Sequence, residues 1–465
     1  MSVVIVFAAL IFLMIIAYRG YSVILFAPIA ALGAVLLTDA SLVAPMFSGL
    51  FMVRLADFLK QYFPVFLLGA IFGKLMEISG FAKSIVATII ATVGSNRAIA
   101  SIVAVCALLT YGGVSLFVVV FAVYPFAAEM FKRANIPKRL IPGSIALGAF
   151  TFTMDCLPGT PQIQNIIPTT FFKTTIFSAP WLGIMGAVFI LIAGLAYMEW
   201  RRRTAELAGE GYGENLINEP ETVEDGQMCH PAIAIIPLLL VGVMNYVFTS
   251  AIPWFYGPTH SFQPSMFGKA APVTQEISRL TAVWAVEGAL LIGIASVLAF
   301  SWKSTSARFA EGTKPAISGA LLASMNTASE YGFGAVIAAL PGFVAVTGMI
   351  ALFKEPLIDI AITVSALAGI TGSASGGLSI ALAAMQDTFI PHALQAGIPA
   401  EVLHRVASMA SGGMDTLPHN GAVITLLSVT GLTHAQSYRD IFAITLIKTA
   451  AVFVVIAVFY LTGLV

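Results

Sequence analysis

The sequence predicts an all-α polytopic membrane protein, and three observations support this fold class. First, 58% of the 465 residues are hydrophobic and only 10% are charged, whereas soluble domains carry about 25% charged residues. Second, long apolar runs recur from end to end, and several reach the roughly 17–25 residues that cross a bilayer as a helix. Third, these runs do not alternate in polarity as membrane β-strands do. We expect about ten to twelve transmembrane helices.

Charge and cysteine content exclude several function classes. The 23 basic and 23 acidic residues balance, so nothing indicates a nucleic-acid partner. Cys106, Cys156 and Cys229 lie far apart without a CxxC motif, and we interpret them as packing residues. We therefore predict no metal site and no cofactor. The first apolar segment has no basic leader and no small-residue cleavage site, which favours a retained helix over a signal peptide.

One segment, residues 200–230, is strongly hydrophilic. Arg201, Arg202 and Arg203 directly follow the apolar run 180–198, and basic residues mark the cytoplasmic side of a membrane protein. We therefore predict a solvated cytoplasmic linker that separates a first membrane half, residues 1–199, from a second half, residues 231–465.

Short motifs recur in the same order in the two halves, which indicates an internal duplication. Gly-Gly-Val-Ser begins at Gly112 and Gly-Gly-Leu-Ser begins at Gly376. Met-Asp-Cys-Leu-Pro ends at Pro158 and Met-Asp-Thr-Leu-Pro ends at Pro418. Each match alone is weak, but their shared order and nearly constant spacing make chance a poor explanation.

Each half is expected to contain a re-entrant hairpin and a broken helix. The hairpins cover about 97–132 and about 357–394, with the Gly-Gly-x-Ser motifs at their tips. The broken helices cover about 138–176 and about 400–430, because a proline removes a backbone donor and opens the preceding turn. Paired broken helices at matching positions of two halves are typical of a transporter binding site near the membrane midplane.

The predicted substrate-binding residues lie at the hairpin tips and in the two breaks. Glycine lets the backbone approach a ligand, and backbone N–H groups and hydroxyls can hold a carboxylate. Close packing between membrane helices is the alternative explanation for such small residues. The predicted residues are Gly112, Gly113, Ser115, Asn165, Ser375, Gly376, Gly377, Ser379, Thr416 and Asn420.

Four titratable residues are predicted to couple transport to protons: Asp155, Asp415, His419 and Glu330. A charged side chain at the bilayer centre costs about 2.5–3.5 kcal/mol, so it indicates function by default. The alternatives are that each aspartate caps the following half-helix, that His419 is a hydrogen-bonded structural residue, and that Glu330 lies at a helix end in water.

Four segments resemble the gluconate permease family: FGKLMEISGFAKSIV, GGVSLF, MDCLPGTPQIQN and GGMDTLPHNGAVITLL. The resemblance covers roughly residues 45–460. It implies proton-coupled uptake of gluconate or related sugar acids, with 3-hydroxybutyrate carriers among the branches of the family. It also implies an elevator-like transport domain. The segment NTASEYGFGAV carries Glu330 where the sugar-acid members are richer in glycine, which places this chain in a divergent branch and leaves the substrate open.

We thus predict a proton-coupled symporter of a small organic anion in the inner membrane. Its predicted partners are the anion, a proton and the lipid bilayer, with a homodimer as an option for assembly. An ion/proton antiporter, another carboxylate carrier and a channel are alternatives. An intramembrane aspartyl hydrolase would need Asp155 and Asp415 about 3 Å apart. The family fold implies inverted repeats, whereas the count of crossings favours parallel repeats, and both stay open here.

Overall fold

The protein is almost entirely helical, which confirms the predicted all-α polytopic fold class. The structure, a computed structural model, describes all residues except 1, 20, 94–96, 115, 215–216, 220–228, 264–271, 344–354, 372–373, 386–388 and 419. Within the described part, one antiparallel ribbon joins the strands Thr259–Phe262 and Val273–Glu276. This ribbon lies in the exposed connection between two long helices.

The helices of the two halves follow one another in a similar order. Those of the first half are Ser2–Tyr18, Val23–Thr38, Ala40–Ile78, Phe81–Val93, Ala98–Tyr111, Leu116–Arg133, Ile141–Ala149, Phe152–Asp155, Ile163–Phe172 and Pro180–Leu207. Those of the second half are Pro231–Tyr256, Ile277–Thr305, Phe309–Ala338, Pro356–Thr371, Ala374–Met385, Phe389–Gln395, Ala400–Gly412, Gly421–Thr430 and His434–Thr462. Short 3-10 turns cover Lys138–Leu140, Ser306–Arg308 and Gly413–Thr416.

Five of the described helices are long and apolar enough to cross a bilayer. They are Ala40–Ile78, Pro180–Leu207, Pro231–Tyr256, Ile277–Lys303 and His434–Thr462. The total of ten to twelve crossings stays a prediction.

Each half contains a helical hairpin. The first hairpin consists of Ala98–Tyr111 and Leu116–Arg133, and the second consists of Pro356–Thr371 and Ala374–Met385. Gly112 and Gly113 lie in the turn of the first hairpin, where Gly113 has a φ of 90°, a conformation that favours glycine.

In the second hairpin the glycines are placed differently from the expectation. Gly376 and Gly377 lie in the first turn of Ala374–Met385 rather than at the tip. A Cβ atom on Gly377 would overlap the backbone of Ala368 on the other helix of the hairpin. Gly377 therefore permits close helix packing, the alternative explanation for these small residues.

Replacing Gly377 with alanine is expected to destabilise the protein by about 1–3 kcal/mol, the usual penalty for overpacking. The backbone of Ala368 cannot move aside as a flexible side chain would. Thermal unfolding in detergent measures the effect, with Gly33→Ala as the matched control, since a Cβ there meets nothing within 4 Å. Equal unfolding temperatures for the two variants would contradict this account.

Each half also contains a helix interrupted before a proline. The first broken helix comprises Ile141–Ala149, Phe152–Asp155 and Ile163–Phe172. The second comprises Ala400–Gly412, the turn Gly413–Thr416 and Gly421–Thr430. Both interruptions leave backbone groups without intrahelical partners, which other parts of the protein must satisfy.

The two halves pack reciprocally and run in opposite directions. Leu116–Arg133 contacts the last segment of the second broken helix, and Ala374–Met385 contacts the last segment of the first. The helices that follow the broken helices, Pro180–Leu207 and His434–Thr462, also pack together. Arg201, near the end of one, binds Asp440, near the start of the other, so the two helices are antiparallel. This relation is the one expected of inverted repeats.

The described part of residues 200–230 contacts the basic turn at 138–139. The helix Pro180–Leu207 continues into it, and Arg139 holds Glu210 through two hydrogen bonds of 2.6 Å each. These bonds lower the pKa of the Glu210 carboxyl. Lys138, which is 2% exposed, binds Glu219 at 2.7 Å. The basic turn at 138–139 therefore anchors the segment. Its position on the cytoplasmic side stays a prediction.

Candidate functional site

A buried lysine joins the two broken helices. Lys448 Nζ lies 2.8 Å from Asp155 Oδ2 and donates hydrogen bonds to Phe150 O at 2.8 Å and Gly412 O at 2.6 Å. Lys448 and Asp155 are both almost completely buried. An ammonium group has three donors; two of them bind these carbonyls, and the ammonium lies in ion-pair contact with the carboxylate. Lys448 thus satisfies open carbonyls of both breaks and neutralises the carboxylate of the first.

The space around this ion pair is filled so tightly that one position must be glycine. A Cβ atom on Gly412 would fall on Asp155 Oδ2 and Lys448 Nζ. Both groups are held by other contacts, so neither can withdraw at low cost. The second break therefore touches the aspartate of the first break directly.

Arg405 binds the first break from the second broken helix. It is fully buried, and its Nη1 donates to Asp155 O at 2.7 Å and to Asn165 Oδ1 at 3.0 Å. Its Nη2 donates to Ser178 O at 2.7 Å. Guanidinium suits this role because it presents several donors in a fixed plane and stays charged. Arg405 replaces the helical hydrogen bonds that the first break has lost.

Asn165, a predicted substrate-binding residue, is fully engaged with the protein. Its Nδ2 donates to Thr160 O at 3.0 Å and to Ile176 O at 2.9 Å. Its Oδ1 accepts from Arg405 and lies 3.1 Å from His404 Nε2. This amide holds the first break together, and no atom of it is available to a ligand in this conformation.

Asp415 has a different environment from Asp155. It is 7% exposed, and Gln164 Nε2 donates to its Oδ2 at 2.9 Å. The backbone N–H of Ala374 also binds it. Lys448 and Asp155 lie close enough to act on Asp415 electrostatically. The described hydrogen-bond partners of Asp415 are therefore neutral, whereas Asp155 is bound directly by a cation.

Other predicted residues also have structural partners. Thr416 Oγ1 lies 2.6 Å from Thr445 Oγ1. Asn420 accepts a hydrogen bond of 2.7 Å from the N–H of Ala422 and so caps the helix Gly421–Thr430. Ser115 and His419 lie outside the described residues.

Ser379 of the second hairpin lines a small cavity. Ser379 donates to Ser375 O at 2.8 Å, and Ser375 lies 3.4 Å from Thr327. The cavity has a volume of about 30 Å³, about the volume of one water molecule. Its lining residues are Asp57, Phe58, Gln61, Tyr62, Phe171, Tyr331 and Ser379. Ser379 thus faces a space between the second hairpin and the helix Ala40–Ile78.

Glu330 does not lie at a helix end in water, which was the alternative to a coupling role. It lies in the interior of the helix Phe309–Ala338 and is 3% exposed. Its burial keeps Glu330 among the proposed coupling groups.

Sequence analysis missed the two cations of the site. Lys448 stands alone in the apolar run 441–463, and a lone charge in such a run is a signal of function. Arg405 gave a weaker signal, because its helix is amphipathic with polar residues on both sides. Their partners could not be found locally, since Asp155 is far away in the chain.

Comparison with known proteins shows that the chain belongs to a family of transporters. No protein-family model matches the chain. The uncharacterized transporter YxjC of Bacillus subtilis (strain 168) is 60% identical over 475 residues, and the alignment covers all of both chains. The chain belongs to the family of YxjC. It is a multi-pass membrane transporter.

The solved structure of MtrF supports the fold of this YxjC-family transporter. MtrF of Neisseria gonorrhoeae, from a class of antimetabolite efflux pumps, is 12% identical with a TM-score of 0.52, covering 91% of this chain and 85% of MtrF. The YdaH transporter of Alcanivorax borkumensis is 13% identical with a TM-score of 0.47, covering 89% and 88% of the two chains. At such identities, the likeness to MtrF concerns the fold alone.

Proposed function

We propose that this transporter is a proton-coupled symporter of a small organic anion. The resemblance to the gluconate permease family favours a gluconate-like sugar acid or a hydroxy acid such as 3-hydroxybutyrate as substrate. One observation carries the proposal. Asp415 is a nearly buried carboxylate at a helix break, and its described hydrogen-bond partners are neutral groups. Such a carboxylate can take up a proton without breaking an ion pair.

The charges of the site explain how a proton would favour an anion. Lys448 and Arg405 balance Asp155 and Asp415 when both carboxylates are ionised. Protonation of Asp415 leaves one excess positive charge in a buried region, where electrostatic interactions are strong. The anion then binds better, and by linkage the bound anion favours the proton. Lys448 lies in direct ion-pair contact with Asp155, so a proton on Asp155 would have to compete with that cation.

A carrier fits this arrangement better than a hydrolase does. An aspartic dyad shares one proton between adjacent carboxylates. Here Lys448 binds Asp155, and Gln164 binds Asp415, so each carboxylate has its own partner. Cleavage of a peptide by the purified protein would contradict this interpretation.

We also propose that the protein lies in the cytoplasmic membrane, with loop 200–230 on the cytoplasmic side and a homodimer as an option for assembly.

Uptake into proteoliposomes tests the proposed function. With an acidic exterior, uptake of labelled gluconate or 3-hydroxybutyrate is expected to exceed uptake without a gradient and to collapse when a protonophore is added. Protein-free liposomes are the control. Uptake that ignores the protonophore would rule out proton coupling, and stimulation by the opposite gradient would indicate an ion/proton antiporter.

A further inference from the structure

Gln164 carries a buried acceptor that the described protein leaves unsatisfied. The residue is 4% exposed, and its Oε1 has no hydrogen-bond partner within the described part of the chain. Buried polar atoms are nearly always paired, and an unpaired one costs about 1–3 kcal/mol. A cost of that size indicates that a group outside the protein completes the hydrogen bonding.

The orientation of this amide is set by its other end. Nε2 donates to Asp415 Oδ2 at 2.9 Å. An ionised carboxylate only accepts hydrogen bonds, and a proton on the other oxygen of Asp415 leaves this bond in place. A turned amide would place Oε1 against that carboxylate, with repulsion between the two oxygens. Oε1 is therefore held away from Asp415.

Three structural elements, drawn from both halves of the protein, meet at the Gln164 side chain. Gln164 lies in the first turn of Ile163–Phe172, directly after the first break, and Asp415 lies in the second break. Ala374, whose N–H also binds Asp415, begins the second helix of the second hairpin. This junction contains Asp415, the group whose protonation favours the anion in the proposed function.

We propose that Gln164 is a specificity-determining residue whose Oε1 accepts a hydrogen bond from a hydroxyl group of the transported anion. The proposal rests on the proposed function. A carboxylate oxygen cannot satisfy Oε1, because both atoms are acceptors. A hydroxyl can, so the site selects hydroxylated anions over anions that lack the donor. Gln164 then links the substrate to Asp415 through one planar group.

Two pairs of anions test the proposal on the purified full-length protein: 3-hydroxybutyrate with butyrate, and gluconate with hexanoate. The wild type is expected to bind the hydroxylated member about tenfold more tightly, as one hydrogen bond to a buried acceptor allows. Gln164→Met keeps the approximate volume but removes the acceptor. In this variant the affinity ratio is expected to fall to about one, mainly through loss of the hydroxylated anion.

The affinity ratio within one variant does not depend on the fraction of protein that is folded. Gln164→Asn, which keeps the amide but withdraws it, should lower the ratio as well and serves if Gln164→Met does not fold. The exposed Gln395 provides the matched control, and Gln395→Met should keep the wild-type ratio.

An unchanged ratio in the Gln164 variants, or a wild type without preference for the hydroxylated anions, would overturn the inference. A wild type that binds neither hydroxylated anion would overturn it too. The proposed function fails separately, when uptake of every anion ignores the proton gradient. Preference for a hydroxylated anion without proton coupling would therefore leave Gln164 in its role while removing the symport mechanism.

Discussion

Replacing Asp415 with asparagine is expected to reduce proton-driven uptake to the level of protein-free liposomes while exchange of bound anion persists. Asparagine has nearly the same shape, and its carbonyl oxygen can still accept the hydrogen bond from Gln164 Nε2. It cannot bind a proton, so the gradient no longer drives transport. The uncharged asparagine resembles protonated Asp415, the state in which the anion binds better. Exchange of the anion therefore persists.

Two measurements on the same vesicles separate these effects. Net uptake with an acidic exterior reports coupling, and counterflow of labelled against unlabelled anion reports exchange. Asp39 caps a turn at the surface through Ser41, and Asp39→Asn keeps that capacity, so it is the control and should retain driven uptake. Full driven uptake by Asp415→Asn would remove Asp415 from the mechanism and leave Asp155, His419 and Glu330 as proposed coupling groups.

Removing the charge of Lys448 is expected to destabilise the protein by about 3–5 kcal/mol, the cost of leaving one partner of a buried ion pair alone. In Lys448→Met the carboxylate of Asp155 stays buried without its cation, and Phe150 O and Gly412 O lose their donor. The double variant Lys448→Met/Asp155→Asn should recover a large part of the loss, because no buried charge is then unpaired.

Denaturant or thermal unfolding of the wild type, both single variants and the double variant measures the coupling of the pair. The exposed Lys303 provides the control, and Lys303→Met should stay within about 0.5 kcal/mol of the wild type. If the losses of the two single variants simply add in the double variant, Lys448 and Asp155 do not stabilise each other and the account of the site is wrong.

The duplicated motif is enough to single out the two aspartates. Met-Asp-x-Leu-Pro marks both breaks because its proline removes a backbone donor and disfavours helical backbone in the residue before it. The motif alone does not distinguish Asp155 from Asp415. Their environments differ because each buried carboxylate has a different partner. The partner Lys448 is on the last helix and binds directly only the carboxylate of the first break.

For the small residues too, the sequence predicted the motif but not the environment of each copy. Gly-Gly-x-Ser predicted two similar tips, yet Gly113 lies in a turn whereas Gly377 lies in a helix against Ala368. Glycine suits both tight turns and close helix contacts, so the residue type alone could not distinguish them. The role of Gly377 follows from the close approach of the two helices of the second hairpin.

The sequence by itself determined that this protein is an all-α membrane protein with a duplicated plan, because hydropathy and proline breaks act within one or two helical turns. Only the tertiary structure decided that the halves run in opposite directions, that Lys448 and Arg405 satisfy the open carbonyls, and that Gln164 binds Asp415. Those features depend on which groups, distant in the sequence, are buried against one another. A local sequence pattern does not specify these partners.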